Sequence, residues 1–124
     1  MNDDLAALQG IWKQVAVEVD GVANPPDEFS ALGILTAITG THFAVHAPDG
    51  TLLLEGGFIL DETTIPKRVT WVDTMGPDTG KRLPAIYDLN GDDFVFNAAD
   101  EGAPFPASFR TLQRQTMRRF VRKS

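Results

Sequence analysis

Apolar and polar residues alternate with a period of two through most of this chain, and short clusters of Gly, Pro, Asn and Asp interrupt them. That period is the mark of β-strands with one buried face. The first run, residues 11–19, places Ile11, Val15, Val17 and Val19 on one face and Trp12, Gln14, Glu18 and Asp20 on the other. Its valines favour a strand over a helix. Ahead of it, Leu5 and Leu8 are spaced for a short helical turn. Asn2 or Asp3 is placed to cap that turn and Gly10 to stop it. Residues 5–19 therefore read as a plug followed by the first strand of a closed sheet.

The same reading predicts strands at residues 34–39, 41–46, 51–60, 67–74, 81–89 and 92–98. Pro25-Pro26, Gly40, Pro48-Asp49-Gly50, the Gly76 to Gly80 cluster and Asn90-Gly91 mark the links. Gly56-Gly57 suggests a bulge or bend inside the fourth strand. Pro84 suggests an irregularity or an edge in the sixth. Residues 109–123 fit both a helix and a strand; the reading adopted is an irregular stretch followed by a strand from Thr116. Eight short strands joined mostly by tight turns predict an all-β, up-and-down antiparallel barrel. Closure removes the exposed edges.

Composition narrows this picture. The length of 124 residues suits one domain. There is no cysteine, which removes disulfides, thiolate metal sites and thiol nucleophiles together. No run is long enough to span a membrane as a helix, and the acidic start does not resemble a signal peptide, so a cytoplasmic protein with no membrane partner is expected. A net charge of −6 argues against nucleic-acid binding. All 17 acidic residues lie at or before Glu101, while six of the 11 basic residues lie in 110–123. The asymmetry fits either an anionic partner or charge balance within the chain.

Candidate chemistry is sparse. His42 and His46, on one strand, stand about 13 Å apart, too far to share a metal ion held by bonds of about 2 Å. The pairs Asp27-Glu28, Asp61-Glu62, Asp92-Asp93 and Asp100-Glu101 fall in or beside turns, where Asp is common for local hydrogen-bonding reasons. Residues 76–81 lack the spacing of a phosphate loop. No catalytic residue, metal or cofactor is expected, and an enzyme is not expected. The aromatic residues Phe43, Phe58, Trp71, Tyr87, Phe94 and Phe96 are the candidates for a ligand cavity, because an eight-stranded barrel's interior is either filled or holds one small molecule. Monomer and homodimer both remain open.

Two features resemble the lipocalin-type barrels. Gly10-Ile11-Trp12 looks like the G-x-W that begins their first strand, and a late basic residue, Arg118, Arg119 or Arg122, is placed to pack over that Trp. Arg119 is taken as the closing partner of Trp12. Nearly the whole chain resembles a bacterial family of lipocalin-like domains without established activity. The matching stretches are residues 5–12, 17–21, 66–67, 76–81, 86–92 and 106–109. The resemblance implies a lipocalin-like fold, carries over no catalytic residue, and breaks down at the chain's longer, more basic end. Two functional expectations follow. One is a barrel binding a small apolar or amphipathic molecule. The other is a filled barrel serving as an interaction module through its basic segment.

Overall fold

The alternating runs close on one another into an eight-stranded antiparallel barrel, as the computed structural model, which describes residues 4–123, shows. A short helix α1 (Asp4–Leu8) precedes β1 (Gly10–Val19), and a two-residue strand β2 (Val22–Ala23) folds back on its end. Then come β3 (Leu35–Thr39), β4 (His42–His46), β5 (Leu52–Asp61), β6 (Lys67–Asp73), β7 (Arg82–Asn90), β8 (Asp93–Ala99) and β9 (Gln115–Arg122). Each strand from β3 onward pairs with the next, and β9 pairs with β1 to shut the barrel. The expected caps Asn2 and Asp3 lie outside the described residues. No helix among the described residues is long and apolar enough to cross a membrane.

The ambiguous C-terminal segment is a strand, because Phe120 and Met117 both find buried neighbours there: Phe120 faces Phe94 inside the barrel and Met117 pairs with Asn97 on the outer face. Pro84 pairs with Thr70 of β6 on one side and stands just past the last β7–β8 pair, Ala85 with Ala98, on the other, so it marks a local end of pairing.

Two irregularities depart from the sequence reading. In β1 the register slips between Gln14 and Ala16, leaving Val15 as an extra residue. Ile11 and Val15 are consequently 43% and 52% exposed, while Trp12 is wholly buried and Val17 lies on the buried side. The expected face of Ile11, Val15, Val17 and Val19 is thus split by a bulge, which re-phases a strand by one residue. In β5 the slip falls at Leu53, not at Gly56-Gly57.

Gly56 has a different role. A Cβ there would overlap the Val72 carbonyl oxygen and approach Phe43 Cε2 to 2.9 Å. The backbone of β6 lies directly against it.

One end of the barrel is shut. Helix α1 lies across it, with Leu8 and Trp12 wholly buried. Trp12 Nε1 donates to the Leu8 carbonyl at 2.8 Å, and Gln9 bonds to the Gly40 backbone at the nearby β3–β4 turn. Asp4 accepts from Lys67 Nζ at 2.9 Å and from the Tyr87 hydroxyl at 2.7 Å. Tight turns at Gly40, Asp61 to Pro66 and Gly91 occupy the same end. The long connections, residues 20–34, 74–81 and 100–114, gather at the other end.

The last of these folds along the outside of the barrel. Thr111 bonds to Glu18 and, through its hydroxyl at 2.7 Å, accepts from the Gly21 N–H. Asn97 Nδ2 donates to the Ser108 carbonyl at 3.0 Å, and Arg68 lies 4.2 Å over the Phe105 ring. Ile86, Asn97 and Met117, which point away from the barrel interior, are buried. The outer face of β7–β9 is thus covered in a way that simple strand alternation does not predict.

Candidate functional site: a cavity inside the barrel

Inward positions of eight strands meet along the barrel axis, and their side chains do not fill it. Between the sealed end and the long loops lies a cavity of about 270 Å³. Its wall is apolar and aromatic: Phe43 and Val45 from β4, Leu54 from β5, Trp71 from β6, Leu83 from β7, Phe94 and Phe96 from β8, and Phe120 from β9. Trp71 anchors this wall, with Phe43 edge-on at 5.4 Å and Phe96 at 4.9 Å between ring centres. Such aromatic pairs favour tilted arrangements and hold one another in place.

Of the six aromatic candidates, Phe43, Trp71, Phe94 and Phe96 line the cavity. Phe58 and Tyr87 do not. Phe58 is buried 5.4 Å from the Trp71 ring, and Tyr87 is spent on Asp4 at the sealed end. Burial and that hydrogen bond push the Tyr87 hydroxyl far above its ordinary range.

The basic residue over Trp12 is Arg122, whose guanidinium lies 4.3 Å from the ring centre. Arg119 is exposed on the opposite face of β9 and does not meet Trp12. The correction follows from register: Trp12 pairs directly with Arg122, and directly opposed residues share a face. Arg122 also donates to the Gln9 carbonyl at 2.8 Å and to Asp92 at 2.9 Å, tying α1 to the barrel.

Polar groups concentrate where the cavity nears the long loops. Arg118, inward from β9, donates to Asp27 Oδ2 at 2.8 Å and to Gln14 Oε1 at 3.0 Å. Gln14 in turn donates to Asp27 at 3.0 Å and to Ser30 at 2.9 Å. Asp27 precedes and Ser30 ends a short 3-10 turn, Glu28–Ser30, whose Phe29 ring reaches the cavity and lies 5.3 Å from the Arg118 guanidinium. The turn borders the cavity as a lid would, tied down by the Arg118–Asp27 pair as by a latch. The sequence places Asp27 beside Glu28 at a turn, with local hydrogen bonding as its expected role. No local pattern shows its partner 91 residues away.

The latch has a pH signature. Burial raises the Asp27 carboxyl, but the Arg118 hydrogen bond and charge, with Gln14 and Ser30, outweigh it and hold it below the ordinary carboxylate value of 3.8. A lowered folded-state pKa means the unfolded or opened chain binds the proton more readily. The latch therefore contributes fully above about 3.8 and is lost as pH falls through the lower, latched value. Asp27→Asn should loosen the lid at neutral pH, costing about 1–2 kcal/mol. Faster amide exchange over residues 27–34 at neutral pH, with little change elsewhere, is the expected reading. Unchanged exchange in that segment would mean that the pair does not hold the lid.

Three further carboxylates, Asp73, Asp78 and Asp100, also line the cavity. Asp73 follows Trp71 in the inward phase of β6, a placement that alternation from Trp71 implies. His42 and His46 both lie on the outer face of β4, where His42 stands 3.2 Å from Glu55. Among the described residues no three metal-ligating side chains cluster. Two of the six C-terminal basic residues, Arg118 and Arg122, are bound to partners within the chain. No family model, curated protein or solved structure matches this chain.

Proposed function

We propose that this protein binds one small, mainly apolar molecule inside the barrel, in the manner of the lipocalin-like domains its sequence resembles. The observation that carries the reading is the cavity of about 270 Å³ walled by Phe43, Trp71, Phe94 and Phe96. Ligand sites are typically concave, apolar and provided with a few placed polar groups. The volume sits near the small end of such sites, which favours a compact ligand over a long lipid. The sealed end gives the ligand a floor, and the latched turn carrying Phe29 gives it a cover. The use of Arg118 and Arg122 inside the barrel supports this reading over an interaction module built on the basic segment.

A fluorescence titration with the apolar probe phenylnaphthylamine tests it. Saturable binding at one molecule per chain is expected. Ala98, which borders the cavity, gives the control. Ala98→Phe adds a ring to the interior and should weaken binding at least about tenfold, the equivalent of about 1.4 kcal/mol, while the far-ultraviolet circular dichroism stays that of the parent. Equal binding by parent and variant would place the probe outside the barrel, and absence of binding by the parent would remove the reading.

A further inference from the structure

Arg118 is the one basic residue in the cavity wall among the described residues, and its donors are not all used. A guanidinium carries five N–H groups in one plane. One Nη1–H goes to Gln14 Oε1 at 3.0 Å and the other to Asp27 Oδ2 at 2.8 Å. One Nη2–H goes to Asp27 Oδ1 at 3.3 Å. Asp27 thus takes the fork at the tip of the guanidinium. The Nε–H and the second Nη2–H share the side edge of the plane and meet no acceptor among the described residues. Arg118 belongs to the cavity wall and Asp27 does not. The Arg118 side chain is 20% exposed, a setting in which a charge-assisted hydrogen bond is stronger than in water.

The surroundings of Arg118 decide what kind of acceptor suits it. Arg118 stands directly opposite Phe96 of the aromatic wall, and Thr116, two residues earlier on the same face of β9, adds a hydroxyl to the lining. The charge of the guanidinium is already matched by Asp27. Asp73, Asp78 and Asp100 line the same cavity, and Lys81 offsets only Asp78. The site as a whole is therefore negative, and a carboxylate or phosphate would enter against that field. A plain hydrocarbon would leave the two donors unused. An uncharged oxygen acceptor avoids both costs.

We propose that the cavity takes an uncharged carbonyl compound, a ketone, ester or lactone, whose apolar body lies along Trp71 and Phe96 and whose carbonyl oxygen accepts from the Nε–H and Nη2–H of Arg118. This deepens the ligand-binding reading and rests on it. Asp27 and Gln14 hold the guanidinium plane in place, so binding costs Arg118 little side-chain freedom. The Asp27 charge also sets selectivity, because it removes the net attraction that Arg118 would otherwise exert on an anion.

Three probes that share a phenylethyl body and differ only at the end group test this: benzylacetone, a methyl ketone; isopentylbenzene, its hydrocarbon counterpart; and hydrocinnamate, its carboxylate counterpart. Each is titrated against bound phenylnaphthylamine in the whole protein near neutral pH. The ketone is expected to bind at least about tenfold more tightly than the carboxylate. Asp27→Asn leaves the Arg118 charge unmatched and is expected to raise carboxylate affinity about tenfold relative to that of the ketone. Asp27→Asn together with Arg118→Met removes the pair without stranding a charge. It is expected to weaken the ketone about tenfold while the hydrocarbon holds or gains. Asp27→Asn alone keeps the test open should the double variant fail to fold. A parent that prefers the carboxylate, an unchanged carboxylate-to-ketone ratio in Asp27→Asn, or equal losses of ketone and hydrocarbon in the double variant would each overturn the proposal and leave the apolar site standing. Bound phenylnaphthylamine that none of the three displaces would do the same. Failure of phenylnaphthylamine itself to bind would overturn both.

Discussion

Trp12→Ala should lower the stability of this protein by about 3–5 kcal/mol, the range for truncating a buried aromatic residue. Trp12 is wholly buried and packs 5.8 Å from Phe94. Its loss would open a void between helix α1 and the barrel that backbone on both sides prevents from collapsing. The Leu8 carbonyl would lose its donor, and Arg122 would lose the ring beneath it. Against a typical total of 5–15 kcal/mol for a domain, this is a large fraction. Urea denaturation followed by circular dichroism should show a lower midpoint with an unchanged slope. Trp12→Phe, which keeps most of the packing and gives up the hydrogen bond, should cost about 1–2 kcal/mol. A Trp12→Ala loss no larger than that of Trp12→Phe would mean that the plug contributes little to closing the barrel.

Gly56→Ala should cost about 3 kcal/mol or more, although it adds a single methyl group. Overpacking ordinarily costs about 1–3 kcal/mol because side chains can give way. Here the obstacles are the Val72 carbonyl and the Asp73 Cα, which belong to the neighbouring strand, so β5 and β6 must separate. Gly57→Ala is the control. Its nearest obstacle is the Thr41 carbonyl at 3.3 Å, and it should cost less than about 1 kcal/mol. The displacement at Gly56 would also reach Phe43 and Asp73, so ligand binding should weaken in any folded Gly56→Ala protein. Similar losses at the two glycines would refute the close-approach account.

The strands and turns were legible because one period governs nearly the whole chain. A closed barrel buries one face of every strand, and turn residues punctuate each link. What alternation cannot see is an inserted residue. Val15 and Leu53 each shift a phase, and nothing in residue type distinguishes a bulged valine or leucine from a paired one. Alternation also gives the facing of a side chain but not its depth along the barrel. Phe58 and Phe96 both face inward, yet only Phe96 reaches the cavity.

Other features were within reach of the pattern. Once Phe120 is inward, Arg118 and Arg122 must share its face and Arg119 cannot. Once Trp71 is inward, so is Asp73. The latch between Asp27 and Arg118 and the covering of Asn97 by residues 100–114 were not within reach. They join parts of the chain far apart, and no local signal records such contacts.

The central claim is that the barrel holds a ligand, and native mass spectrometry of the full chain tests it most directly. The protein would be measured as purified and after incubation with phenylnaphthylamine, beside a denatured control. The account predicts one small added mass per chain, whether carried through purification or supplied by the probe, that disappears on denaturation. A bare chain mass under both native conditions would contradict it.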